Sequence, residues 1–429
     1  MQKNEEYREL DVWRGIAIIF MITNHAGVVF LSDGDMRNLY ESTIVFIGSF
    51  APVLFFLITG FGYGLSFGKT SFIKTPLDKA LPDKALPDKA IGKHSRGSVW
   101  YKASILILMD ILLRGGHVDI FGWDFLGFIA MSMIIVNMVM HGNRPVFLAV
   151  VLMTIVVFMR FIVGPAYSSM VPQGQQSALI TALLGMSSFS DISYWFAPWL
   201  FYPLLGFVAG YYYIRHRKFL VSRKRSLTFC LAAGAIVFLA ASLVLKLNDM
   251  IFFRWGTVSA AFFILGFAVL LLTAILSWLV CIEWKMNRLT RLVAKRGVGC
   301  LIMVPIHYAI IYYSKTVFSD PMSAPAFTLY LTGVIISSYL IAHYFENLSK
   351  MLASTSVSTV IISCIVSVVI LMLLLINVIP LQSSFKNAAI FGAEILLCLL
   401  LPIQLNFFGK SSRGKANLAA QLQGGVIKK

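Results

Sequence analysis

Arg14 and His25 stand eleven residues apart in an otherwise apolar stretch, Asp11-Val-Trp-Arg14-Gly-Ile-Ala-Ile-Ile-Phe-Met-Ile-Thr-Asn24-His25. An ionisable side chain within a membrane-spanning helix is costly and is a functional candidate by default. Eleven helical steps make about three full turns, so the two residues share one face, with Asp11, Ile18 and Ile22 on the same stripe. They lie roughly 16 Å apart along the helix axis. A guanidinium at one end and an imidazole deeper in suit a long anionic substrate whose reacting end must reach the middle of the membrane.

The elements that position this pair follow from composition. Of 429 residues, 58% are hydrophobic and only 13% charged, and the mean hydropathy is +0.81. A soluble domain carries about 25% charged residues. The expected fold is an all-α polytopic membrane protein of about 12 helices, within a range of 10–12, at roughly 11–30, 43–67, 103–117, 124–141, 146–164, 193–213, 226–246, 256–281, 297–313, 326–344, 357–379 and 388–408. Each is near the ~20 residues that a bilayer requires. The runs are too long for barrel strands of about 10 alternating residues, and the first span reads as retained rather than as a cleaved signal. With the N-terminus inside, the cytosolic pieces hold 28 of the 36 Lys and Arg residues and the opposite loops hold four. That split orients both termini to the cytosol and accounts for the net charge of +17. The basic clusters are orientation signals against anionic membrane lipid, and nucleic-acid binding is not expected. Residues 1–408 form a single membrane domain, 409–429 a basic tail, and 68–102 a cytosolic low-complexity loop in which Asp78-Lys-Ala-Leu-Pro82 repeats as Asp83 to Pro87. Prolines every five residues forbid a continuous helix there. The five cysteines are scattered singly with no CxxC spacing, so free thiols are expected and no metal site. HExxH and phosphate-cradling Gly-rich motifs do not occur.

Leu10-Asp11-Val-Trp-Arg14-Gly15 followed by Asn24-His25 resembles the Arg-x10-His signature of membrane acyltransferase family 3. Three further segments resemble that family in order: Phe55-Phe56-Leu-Ile-Thr59-Gly60-Phe61, Trp195-Phe-Ala-Pro198-Trp199 with Gly206 and Gly210, and Gly297 through Pro305-Ile-His307-Tyr308. The heparan-glucosaminide acetyltransferase type is also similar, notably around Asp124-Phe-Leu-Gly127. The resemblance implies an acyltransferase that takes acyl, often acetyl, groups from acetyl-CoA or another acyl-CoA. It implies a cell-envelope glycan or lipid-linked glycan as acceptor, O-acetylation in polysaccharide biosynthesis, and a bacterial inner membrane. Where family members often carry paired arginines to grip CoA phosphates, this chain has Trp100-Tyr101-Lys102, with Arg96 before it. A lysine meets a phosphate as a point charge, without the bidentate fork.

An alcohol acceptor loses a proton as it attacks a thioester, which makes His25 the expected base, with Asn24 beside it and Asp11 as an acid on its stripe. Arg14, Lys102 and Arg96 are the expected donor-binding cations. Arg114 lies roughly 18 Å along its span from Lys102, and His25 roughly 21 Å from Asp11, so the two reach one depth. There Arg114 is expected to stabilise an oxyanion, oriented by Asp110 one turn earlier. Trp195, Trp199 and His307 are the expected acceptor-binding residues. Each has a structural alternative: interfacial snorkelling for Arg14, a self-neutralising pair for Asp110 and Arg114, a core histidine for His307, interfacial anchors for the two tryptophans. Arg160 and Glu394 offer a structural pair. A transporter or flippase of lipid-linked oligosaccharide also fits about twelve spans, but the Arg14–His25 span has no repeat partner in 215–429.

Overall fold

The computed structural model of the chain describes residues 8–31, 39–77, 88–114, 124–172, 175–177, 180, 183–184, 194, 196–245, 259–283, 298–318, 321–354, 365–371 and 383–400. The described elements are helical: α1 (Arg8–Phe30), α2 (Leu39–Gly48), α3 (Ala51–Leu77), α4 (Asp88–Leu113), α5 (Phe125–Met140), α6 (Pro145–Phe158), α7 (Gly164–Met170), α8 (Phe196–Trp199), α9 (Phe201–Ser222), α10 (Lys224–Val244), α11 (Ala260–Trp278), α12 (Val298–Ser314), α13 (Ala324–Ser354) and α14 (Ser383–Leu400). Among the described residues, six helical stretches are long and apolar enough to cross a membrane: Glu9–Phe30, Thr43–Lys69, Pro145–Met170, Lys224–Val244, Ala260–Cys281 and Ala324–Leu348. Phe125–Met140 and Cys300–Ser314 are apolar but shorter. The protein is therefore a multi-pass helical membrane protein. Most of the expected span at 357–379 lies outside the described residues. So does the Asp83–Pro87 repeat, but the described helices α3 and α4 leave only 78–87 of the expected 68–102 loop between them.

α1 is the hub. It is free of proline, carries Glu9 and Asp11 in its first turn where the helix dipole favours acids, and packs against α2, α3, α11, α12 and α13. Its Ala17, Ile18, Ile22 and Ala26 are fully buried. Two further ties hold it, Met322 N–H to Phe30 O at 2.9 Å and Tyr339 O–H to Gly15 O at 3.5 Å.

The closest pairing in the bundle is α3 on α9, and glycines make it possible. A methyl group at Gly60 would strike the Pro203 carbonyl, one at Gly64 that of Phe207, one at Gly206 that of Leu57, and one at Gly210 that of Phe61. Two Gly-x-x-x-Gly stripes thus face each other, which lets helix backbones approach where bulkier residues would hold them apart. The segment with Gly60 and the segment with Gly206 and Gly210, two separate motifs in the sequence, are the two halves of one contact. α4 leads to α5 through a capping interaction. Asp110, buried on α4, accepts from the N–H of Gly127 at 2.8 Å and of Asp124 at 3.1 Å. These satisfy donors that a helix N-terminus leaves orphaned.

Candidate active site

His25 stands near the C-terminal end of α1, with both ring nitrogens engaged from α12. Its Nδ1 lies 2.7 Å from Nε2 of His307, and its Nε2 lies 3.1 Å from the Tyr308 hydroxyl. His307 Nδ1 in turn lies 2.6 Å from the Met303 carbonyl oxygen. That carbonyl can only accept, and a neutral imidazole has one donor and one acceptor nitrogen, so the directions run in sequence. His307 Nδ1–H donates to Met303, His25 Nδ1–H donates to His307 Nε2, and the Tyr308 hydroxyl donates to His25 Nε2. The basic nitrogen of His25 is therefore Nε2. The two imidazoles lie parallel, 5.0 Å between centroids and 7° between planes, with the Tyr308 ring 4.5 Å from His25.

His25 and Tyr308 both line a cavity of about 320 Å³. Met21, Asn24, His25, Val28 and Val29 supply one wall at helical spacing, and Val304, Tyr308 and Ile311 supply another. The start of α3, the end of α4 and the start of α5 close the rest, with Phe55, Leu113, Asp124 and Phe125. Tyr194 completes it, its ring 5.2 Å from Trp199 and 5.3 Å from Phe56. Asn24 is tied to α2 through Nδ2, which donates to the Val45 carbonyl at 3.0 Å. Asp124 precedes α5 but makes no side-chain cap bond to it; Asp110 caps that helix, and Asp124 lines the cavity.

The other expected site residues fall elsewhere. Arg14 is paired with Asp11, Nη1 to Oδ1 at 2.7 Å, about three turns below His25. Asp11 thus meets Arg14 and not the imidazole. Between them and His25 the stripe is filled by Ile18 and Ile22, both 0% exposed. Arg114 is held by Asp110 at 3.4 Å, and it does not line the cavity. His307 is fully buried behind His25 and does not line it either, so it reaches a substrate only through His25. Trp199 is fully buried, edge-on to Phe56 and Tyr194, and leaves no ring face for a sugar. Lys102 is exposed on α4. Trp195, and the side chain of Arg96, lie outside the described residues. Arg160 and Glu394 do not pair: the guanidinium sits 5.9 Å from the Phe161 ring, and neither oxygen of the fully buried Glu394 has a hydrogen-bond partner. Tyr308, Tyr194 and Asp124, which line the cavity, are not among the site residues expected from the sequence. For Tyr308 the signal was its place directly after His307.

Residues 7–236 match the family model described as "Heparan-alpha-glucosaminide N-acetyltransferase, catalytic". The match covers more than half of the chain, and the chain belongs to that family. Of the two resemblances in the sequence, it is the heparan-glucosaminide type that the match supports. A comparison with curated proteins returned no match. The matched stretch contains α1 to α9, so His307 and Tyr308, the partners of His25, lie beyond it.

Proposed function

We propose that this member of the heparan-alpha-glucosaminide N-acetyltransferase catalytic family, a multi-pass membrane acyltransferase, moves an acyl group, acetyl first among them, from cytosolic acyl-CoA to a hydroxyl of a cell-envelope glycan such as O-antigen, capsule or exopolysaccharide. The observation that carries this reading is His25 on the wall of a cavity, with the hydrogen-bond chain behind it leaving Nε2 as its basic nitrogen. The acceptor O–H takes the place of the Tyr308 hydroxyl at Nε2. As the acceptor oxygen attacks the thioester carbonyl, its proton passes to Nε2, and the resulting imidazolium keeps its Nδ1–H on His307. The displaced Tyr308 hydroxyl is the nearest donor for the tetrahedral oxyanion, a place expected from sequence for Arg114. When the carbon–sulfur bond breaks, Nε2 returns the proton to the leaving thiolate, so the ring ends as it began.

Donor binding is assigned to the other end of the stripe, with Arg14, Lys102 and Arg96 as the cations that meet the CoA phosphates. Arg14 keeps donors beyond the one spent on Asp11, and a guanidinium suits phosphate geometry. The family description supports a second acceptor, an amino group in place of a hydroxyl. The His25 step is unchanged by that exchange. Mass spectrometry of envelope glycans from cells with and without the protein, grown on isotopically labelled acetate, tests the reading. Loss of a labelled acyl group from one glycan is the expected result, and its linkage to oxygen or nitrogen separates the two acceptors. Identical glycans in both strains would contradict the reading.

A further inference from the structure

Asn24 stands directly before His25 on α1 and lines the same cavity, yet the transfer step does not use it. Its amide is fixed from behind. The Val45 carbonyl of α2 can only accept, so the atom 3.0 Å from it is the amide nitrogen and not the oxygen. Ser49 Oγ, 3.4 Å from that nitrogen, is placed to take the second N–H, because its own hydrogen goes to the same Val45 carbonyl at 2.9 Å. The α2 backbone also lies against this residue, since a methyl group at Gly48 would come 2.6 Å from Asn24 Cβ. With both N–H groups of the amide directed at Val45 and Ser49, its remaining capacity is that of an acceptor, Oδ1.

We infer that Asn24 Oδ1 is an acceptor subsite beside the base, which selects a nucleophile whose neighbouring carbon carries a second hydrogen-bond donor, the vicinal diol or amino alcohol of a sugar ring. The inference rests on the acyl-transfer reading and narrows its acceptor class. One O–H or N–H goes to His25 Nε2 and the neighbouring one to Oδ1. The ring is then held by two bonds, and only one of its positions meets the base. A neighbour that can only accept, such as an ether or an ester already formed, sets its lone pair against that of Oδ1 and leaves a buried acceptor unpaired. A position whose neighbour is already acylated is therefore refused.

The first test needs no turnover. With the full-length protein in nanodiscs, His25 is alkylated by N-methyl bromoacetamide or by methyl bromoacetate, reagents of like size that differ in one N–H. Rates are read by peptide mass spectrometry and divided by those at N-acetylhistidine. The normalised preference for the amide is expected to be about tenfold in the wild type, and to fall towards one in Asn24→Leu. A merely structural Asn24 would slow both reagents alike and leave the ratio unmoved. The second test supplies labelled acetyl-CoA with trans-1,2-cyclohexanediol, trans-2-methoxycyclohexanol or cyclohexanol. Per hydroxyl, the diol is expected to be acetylated about tenfold faster than the other two. A wild-type preference at or below one in either test, or a His25 that reacts with neither reagent, would overturn the inference. So would a reagent preference unaltered in Asn24→Leu, the pattern expected if Asp124 on the same wall took the donor. The wild-type ratios decide alone if that variant fails to insert. Absence of acyl transfer to every acceptor, with the reagent preference intact, would instead overturn the proposed function and leave the subsite standing.

Discussion

His25 owes its chemistry to the atoms behind it. The chain from Met303 through His307 fixes which nitrogen of His25 carries hydrogen, and a base presented in the wrong tautomer loses most of its effect even when its geometry is intact. Replacing His307 by Phe keeps the volume of the ring but strands the His25 Nδ1–H, a buried donor whose partner is gone. His307→Phe is expected to lower kcat on the order of 10²-fold while the KM for acyl-CoA stays near the wild-type value. His307→Gln, with an amide oxygen that can accept from Nδ1–H, is expected to recover part of that loss. Steady-state kinetics of the two variants decide the matter: equal, near-normal turnover in both would make His307 a packing residue. The sequence could show His25 and Arg14 on one stripe because both belong to a single helix. It could not show that His25 meets His307, since 282 residues separate them and neither helix carries the other's address.

At the scale of elements, the site depends on how closely α3 lies on α9. The α3 end that holds Phe55 lines the cavity, and its position is set by glycines whose Cβ-less backbones touch the opposing carbonyls. Gly60→Val or Gly206→Leu should force the two helices apart, a clash with main chain that side-chain movement cannot relieve, and cost about 1–3 kcal/mol or more. Gly62, which faces open space within 4 Å, provides the control: Gly62→Ala should leave stability unchanged or slightly raised. Thermal unfolding of detergent-solubilised variants, followed by tryptophan fluorescence, reads the difference, and equal stability of Gly60→Val and Gly62→Ala would refute this packing argument. The Gly206/Gly210 stripe and the segment around Gly60 were each legible in the sequence as motifs; their pairing was not, because small residues mark a close contact without naming the partner. Trp199 misled for a related reason. An aromatic near the start of an expected span looks like an interfacial anchor or a sugar platform, yet α8 turns it into the core against Phe56, Tyr194 and Phe262. The capping of α5 was hidden too, since an Asp directly before a helix reads as its own cap, whereas the cap comes from Asp110 one helix earlier.

Across the whole molecule, the two chemically distinct ends of the α1 stripe lie at opposite ends of the bundle. The cavity gathers the C-terminal parts of α1, α4 and α12 and the first residues of α3 and α5, whereas Arg14 and Asp11 sit at the start of α1. With the N-terminus cytosolic, as the distribution of Lys and Arg implies, donor and acceptor approach from opposite sides, and the fully buried Ile18 and Ile22 lie on the path between them. The proposed function, taken with this orientation, becomes acyl transfer across the membrane with His25 at the point of exchange. The direct test is made in sealed inside-out membrane vesicles, supplied externally with acetyl-CoA labelled in its acetyl group. In wild-type vesicles the label is expected in glycan or lipid-linked glycan within the lumen, protected from externally added esterase until detergent is added. His25→Gln vesicles, containing as much inserted protein, are expected to accumulate label about 10²–10⁴-fold more slowly. Label that stays on the outer face, or His25→Gln vesicles that accumulate it at the wild-type rate, would contradict the account.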